Sequence, residues 1–217
     1  MVDTGIRFVM AKRASSYQLT TNFDREASNW IWSFGWRSMF SRIGEVIFGK
    51  WDNLVVGAFM GTAVLGNYTM AYRLALTGSQ LTQQPIAVIS HSTYASAQAE
   101  KENLQLALEK AVYWLFRGAV LFALLVWFAG AETTVFLYSA KWTLAGASFK
   151  NMFVFVALLP LLTHLKVFLI GSDNINRQLK SQAVQILSFF PLLILAAYRE
   201  DLVAVSWALN ASSIATM

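Results

Sequence analysis

The chain of 217 residues is 56% hydrophobic, 14% aromatic and only 13% charged, about half the roughly 25% charge of an ordinary soluble domain. Its net charge is +5 and it has no cysteine, which excludes disulfides, thiolate metal sites and cysteine nucleophiles. Apolar segments recur along nearly the whole length with basic residues between them, a pattern that suits a membrane protein beside anionic lipid and not a nucleic-acid binder.

In chain order the N-terminus, MVDTGIRFVMAKRASS, lacks the apolar core of a signal peptide. Hydropathy then predicts six helices, over about 29–60, 65–93, 104–130, 148–170, 181–198 and 202–217. The expected organisation is a cytoplasmic segment, 1–28, followed by a six-helix transmembrane lobe, 29–217. The first two helices exceed the roughly 20 residues of a span and should tilt, bend or project; the fifth and sixth are short. The sixth stops at Met217 with no polar tail, and the polar lead-in is brief, so the chain reads as part of a longer protein with its last helix truncated.

Between the helices, Gly61 to Gly66 predicts a very tight hairpin turn, and Ser96 to Asn103 a polar connection. Ser139 to Ala147 carries the interfacial pair Lys141-Trp142. Gly171 to Lys180 is the most water-like loop. Pro85, Pro160 and Pro191 fall inside apolar helices, where each frees a carbonyl and permits a kink. Basic residues set the orientation. Arg7, Lys12, Arg13, Arg25, Lys101, Lys110, Arg177 and Lys180 share one side; Lys141, Lys150 and Arg199 occupy the other. That bias places the N-terminus in the cytoplasm. The sequons at Asn67 and Asn210 lie against or within membrane segments, which disfavours their use as glycosylation acceptors.

Polar groups at membrane depth are functional candidates because lipid rejects them. On the first helix a 100° wheel puts Ser38, Ser41, Arg42, Glu45, Gly49 and Asp52 on one face, with Met39, Ile43, Val46, Ile47 and Leu54 on the other. Arg42 and Glu45 are spaced to pair, so this face is either a structural ion pair with Asp52 at the interface or a cavity lining. On the second helix Tyr68, Tyr72, Arg73, Ser79, Gln80, Gln83, Gln84 and His91 form one broad face, opposite Met70, Leu74, Leu81 and Val88. Their donors and acceptors suit sugar hydroxyls, and Arg73 suits a phosphate. Any one Gln has a ready explanation as a helix–helix hydrogen bond; the whole stripe suggests a hydrated cavity. Arg117 on the third helix either reaches a cavity anion or snorkels to headgroups. Lys166 reads as a snorkelling residue. His164 reads as a helix–helix hydrogen bond or a proton site. No catalytic motif is present, two distant histidines make no metal set, and neither enzyme activity nor a cofactor is expected.

The run FGWRSMFSRIGEVIFGKWDNLVVGAFMGTAVLGNYTMAYRLAL resembles the polysaccharide transporter family, O-antigen-type flippases of the multidrug/oligosaccharidyl-lipid/polysaccharide exporter superfamily. The resemblance rests on Phe34-Gly35-Trp36, Asp52-Asn53, Gly57, Gly61, Leu65-Gly66, Tyr68 and Ala71-Tyr72-Arg73-Leu74. It continues more weakly through Pro85, Glu100, Asn103-Leu104 and Lys141-Trp142, and spans about residues 17–217. Where the family often has a proline near Ser90-His91-Ser92, this chain has His91. The resemblance implies an all-α polytopic membrane protein forming one six-helix lobe of a two-lobe transporter, with the polar lead-in resembling a linker before a second lobe. It also implies a bacterial inner-membrane location and alternating access that moves lipid-linked oligosaccharide or exopolysaccharide precursors. The expected partners are that glycan, membrane lipids and a second lobe or second copy, with no nucleic acid. The competing readings are a lipid II or drug exporter of the same superfamily, a non-transporting membrane scaffold, and, third, an enzyme such as a glycan polymerase.

Overall fold

The computed structural model describes residues 25–97, 101–171 and 175–217, which are helical almost throughout and contain no strand. Two compact units divide the chain, Met1–Trp36 and Arg37–Met217. Of the first, residues 25–36 are described, as helix, with Ile31 and Trp32 exposed. The second holds the rest. The lead-in before residue 25 and the centre of the 96–103 connection lie outside the described residues, as do the side chains of Ser38, Glu45, Ile47, Pro85, Val88 and His91.

The helical run Arg25–Ala97 breaks at Gly61, which has φ 84° and ψ 169°. This defines α1 (25–60) and α2 (62–97). There follow α3 (Lys101–Tyr138), a 3-10 turn (Ala140–Trp142), α4 (Thr143–Asn151), α5 (Phe153–Gly171), α6 (Ile175–Tyr198) and α7 (Leu202–Thr216). The Gly61 backbone conformation is essentially restricted to glycine, so a single residue reverses the chain and helix resumes at Thr62, earlier than position 65. Residues sixteen apart then meet: the Tyr68 hydroxyl donates to Asp52 Oδ2 at 2.7 Å. A Cβ at Gly57 would lie 3.1 Å from Leu65, so that glycine permits the close approach of the arms.

Among the described residues three helical stretches are long and apolar enough to cross a membrane: Met39–Gln84, Leu108–Tyr138 and Ile175–Tyr198. Gly61 divides the first into two arms, each near the roughly 20 residues of a span. A fourth stretch is the bent pair Ala140–Asn151 and Phe153–Leu169, which turns by 57°. The fourth predicted segment, 148–170, is therefore not one straight helix, and the bend falls at Met152 rather than at Pro160. α3 extends beyond its predicted end at 130 to Tyr138. α6 begins at Ile175, not at 181, and its 24 residues make it a full span. α7 has 15 residues, and Asp201 caps its start by accepting from Val203 N and Ala204 N.

Two asparagines satisfy the backbone where helices break inside the bundle. Asn67 of α2 accepts from Ala145 N in the first turn of α4 and donates to Ala63 O. Asn210 of α7 accepts from Phe155 N at 2.9 Å and donates to Asn151 O at 2.6 Å. One side chain thus serves the end of α4 and the start of α5. Buried helix ends need such partners because lipid offers none. These are the sequon asparagines, and both are committed to tertiary hydrogen bonds.

The core joins Val56, Tyr68, Ala71 and Ala75 of the hairpin to Phe155 and Val156 of α5, Phe189 and Leu193 of α6, and Val205 and Leu209 of α7. Small residues permit close packing: a Cβ at Gly78 would collide with the Phe122 ring of α3, and one at Gly146 would lie 2.8 Å from Ala131 O. Large apolar side chains turn outward, including Leu81, Leu121, Phe128, Phe136 and Leu187. Polar groups inside and apolar groups outside are what a lipid solvent selects.

Candidate functional site

On α1 the buried face carries Ser41 and Asp52, while Met39, Ile43, Val46 and Leu54 are exposed, as the wheel predicts. Arg42 lies on the exposed side. The polar face of α2 is not one surface. Tyr68 and Ser79 are buried and Tyr72 is mostly so, whereas Arg73, Gln80 and Gln84 are exposed and Gln83 is half-buried. Residues 72 and 73 are 100° apart on the wheel, and tertiary packing separates them. Arg117 is exposed on α3, its guanidinium 4.2 Å from the Tyr113 ring centroid and 6.0 Å from that of Trp114.

The buried strip of the hairpin is a ladder. Asp52 accepts from Asn53 N and from the Tyr68 hydroxyl, each at 2.7 Å. The Tyr68 ring stacks on Tyr72 at 6.0 Å, and Tyr72 stacks on Phe155 at 5.7 Å. Ser79 donates to Val156 O, tying α2 to α5. Asp52 thus has no free path to lipid; it is held by donors, as an acidic group at that depth requires.

Tyr72 also borders a cavity of about 200 Å³. α1 contributes Gly49, α5 contributes Phe155, Leu159, Thr163 and Lys166, and α7 contributes Thr216. α6 supplies Gln178, Ser181, Gln182 and Gln185, spaced i, i+3, i+4 and i+7 so that all fall on one helical face. Of the described candidates from the sequence, Tyr72 lines this cavity; the α6 glutamines and Gly49 complete it. Gln178 was hidden by reading residues 171–180 as loop, while Gln182 and Gln185 fall inside the predicted helix 181–198 but were not singled out, although the spacing of all three is the helical signal.

The cavity's polar groups are of two kinds. Thr163 and Thr216 donate to their own helices, at Leu159 O and Ser212 O. Gln182 Nε2 donates to Ser41 O at 3.0 Å and packs against Gly44, joining α6 to α1. By contrast, among the described residues no hydrogen bond reaches the side chains of Tyr72, Gln178, Ser181 or Gln185. Ser41 Oγ is fully enclosed without a partner. Lys166 lines the cavity from α5, and both it and Arg42 of α1 are engaged in interactions of their own. His164, two residues before Lys166, is buried and is engaged with its surroundings. Among the described residues no group of acidic or histidine side chains could hold a metal ion.

Chemically, this is a water-sized to sugar-sized chamber with amides, hydroxyls, an aromatic wall and a cation, set inside apolar helices. Comparison with curated proteins and with solved structures finds no match. The family model described as polysaccharide biosynthesis protein matches residues 1–147. The match includes the Gly61 hairpin and the Asp52-to-Tyr72 ladder that carry the sequence resemblance, so this multi-pass membrane protein belongs to the polysaccharide biosynthesis protein family.

Proposed function

We propose that the chain is one lobe of a bacterial inner-membrane flippase for lipid-linked oligosaccharide or exopolysaccharide precursors. The observation that supports this reading best is a cavity lined by amides and hydroxyls between apolar helices in a polysaccharide biosynthesis protein. A glycan leaving water needs groups that replace its hydration, and amides and hydroxyls on a rigid helical frame supply them. In this reading the lobe rocks against a second lobe or a second copy, exposing the substrate path to each side in turn while the lipid tail stays in the bilayer. No bond is made or broken. Exposed Arg42, Arg73 and Arg117 would meet the pyrophosphate on the face between lobes, with Gln80 and Gln84 beside them.

The N-terminus is cytoplasmic in this reading, and the Gly61 turn faces the opposite side. With no native cysteine, Ala63→Cys reports directly: labelling from the cytoplasm alone overturns the orientation. Export is tested by complementing a flippase-deficient strain with this chain, alone and with a co-expressed partner lobe. Restoration of surface glycan with a partner is expected. Full rescue by a demonstrated monomer overturns the one-lobe reading, and failure under every pairing, with the protein present in the membrane, overturns export.

A further inference from the structure

We infer that the groove between α6 and α7 seats one phospholipid whose headgroup carries both a phosphate and a primary ammonium. Its acyl chain lies in the groove, its phosphate on Arg199 and its ammonium on Asp201. The inference goes beyond the export reading and rests only on the chain's being a membrane protein.

Shape comes first. The groove has a volume of about 540 Å³, within the roughly 300–1,000 Å³ of small-ligand sites. Leu192, Leu195 and Ala196 of α6 line one side, and Ala204, Trp207 and Ala211 of α7 the other. Trp207 is held edge-on against Phe153 of α5, with centroids 6.2 Å apart. Arg199 and Asp201 stand at the end where the two helices join. From Leu192 to Arg199 is about 10 Å along α6, and from Val203 to Ala211 about 12 Å along α7. One leaflet supplies half of the roughly 30 Å hydrocarbon core. The groove is thus apolar over most of the depth of one leaflet and charged only at its mouth. Exposed Tyr198 lies beside Arg199 at that mouth, where interfacial aromatic residues belong. An apolar trough under a polar mouth has the profile of a lipid and not of a water-soluble ligand.

Charge then selects the lipid. Among the described residues the Arg199 guanidinium makes no ion pair, although Glu200 and Asp201 follow it directly in the chain. Asp201 Oδ1 accepts both capping bonds, from Val203 N and Ala204 N, and no hydrogen bond among the described residues reaches Oδ2. The mouth therefore offers a cation with unfilled donors and a carboxylate with an unfilled acceptor. A guanidinium takes phosphate oxygens, and a carboxylate oxygen takes an N–H of an ammonium, which carries three. A lipid with a phosphate alone leaves Asp201 without a partner and is repelled by it and by Glu200. A choline lipid has no N–H to give. An apolar helix of a partner lobe laid over the mouth would bury both charges unpaired, which is costly. The complement of this mouth is a zwitterion with a primary amine.

The test uses the full-length protein, delipidated in detergent and titrated with phosphatidylethanolamine, phosphatidylcholine and phosphatidylglycerol of identical acyl chains. Bound lipid is counted by native mass spectrometry. One phosphatidylethanolamine should bind roughly tenfold more tightly than either competitor, the difference a charge-assisted hydrogen bond gives. Asp201→Asn keeps a good helix cap while removing the charge, so it should erase that preference in a protein that still folds. Arg199→Gln should weaken all three lipids. Ala211 is exposed within the groove, so Ala211→Leu should fill the inner end and lower retention of every lipid with the melting temperature unchanged. Leu187→Ala, on the exposed surface of α6 outside the groove, should change nothing. Equal binding of the three lipids, a stronger hold on phosphatidylglycerol, a preference that survives Asp201→Asn, or retention untouched by Arg199→Gln or Ala211→Leu each overturns the inference. So does loss of the bound lipid on pairing with a co-expressed partner lobe, which would make the groove a protein interface.

Discussion

The hydrogen bond between Tyr68 and Asp52 should be measurable as a clasp on the α1–α2 hairpin. Tyr68 is fully buried and Asp52 nearly so, and the hydroxyl lies 2.7 Å from Oδ2. Removing the hydroxyl with Tyr68→Phe leaves a buried carboxylate short of a donor. Hydrogen bonds to charged groups are worth about 1.5–3 kcal/mol. Interhelical bonds in membranes average only ~0.6 kcal/mol, with a maximum near 1.7, because the separated helices find other partners in lipid. The short distance and the acidic acceptor put this bond at the upper end, so a coupling of about 1.5 kcal/mol is expected. Asp52→Asn keeps an acceptor and should cost less than Tyr68→Phe.

A double-mutant cycle over Tyr68→Phe and Asp52→Ala, each of which removes the bond, isolates the pair when read by reversible unfolding in bicelles. Distant, independent sites add to within about 0.3–0.5 kcal/mol. Additivity at that level, or a Tyr68→Phe protein as stable as wild type, would refute the clasp. A functional readout accompanies it: Tyr68 stacks on Tyr72, which borders the cavity, so a loosened hairpin should also lower complementation with a partner lobe.

Three further substitutions probe the backbone. Asn210→Leu should destabilise by about 2–4 kcal/mol, since it strands Phe155 N and Asn151 O, each a buried group worth about 1–3 kcal/mol; a loss below ~1 kcal/mol in the same unfolding assay contradicts the account. Gly61→Ala forces a side chain into φ 84°, ψ 169° and should cost about 1–3 kcal/mol. Gly66→Ala meets open space in a helix and should gain up to about 1 kcal/mol, so equal effects at the two positions would discount the turn geometry. Ser139 adopts nearly the same conformation, φ 84° and ψ 166°, with a side chain, and Ser139→Gly should therefore raise stability by about 1 kcal/mol after the entropy cost of glycine; a lower melting temperature would contradict that.

Much of this arrangement was legible because lipid enforces a simple polarity. The apolar side of α1, carrying Met39, Ile43, Val46 and Leu54, is exposed, and Ser41 and Asp52 point inward. The glycines between Gly57 and Gly66 announced the hairpin, and Gly61 proved to be its single reversing residue. Other features depend on contacts distant in sequence. A continuous apolar run conceals the 57° bend at Met152 because Asn210, far along the chain, satisfies the groups the bend exposes. Composition made residues 175–180 look like loop, whereas in the fold they begin α6 and Gln178 turns to the cavity. The broad polar stripe of α2 defines an arc but not which edge of it is packed, so Tyr72 and Arg73 part company.

A polar side chain inside a membrane bundle is therefore explained less by its identity than by its partners. Asn67, Asn210, Thr163 and Thr216 each close a backbone or tertiary hydrogen bond, which accounts for their presence. Asp52 and Tyr68 close one with each other. Gln178, Gln185, Ser181 and Tyr72 close none among the described residues, although all border the same cavity. Among the described residues the fully enclosed side-chain atoms without a partner are Ser41 Oγ and Ser148 Oγ, so these four turn their polar atoms to the open space of the cavity. Facing a shared cavity and not a partner helix separates them from the architectural polar groups around them. It predicts that Gln178→Leu leaves stability within about 0.5 kcal/mol of wild type while it lowers complementation with a partner lobe. A variant that lost both together would show that the amide already had its partner within the fold.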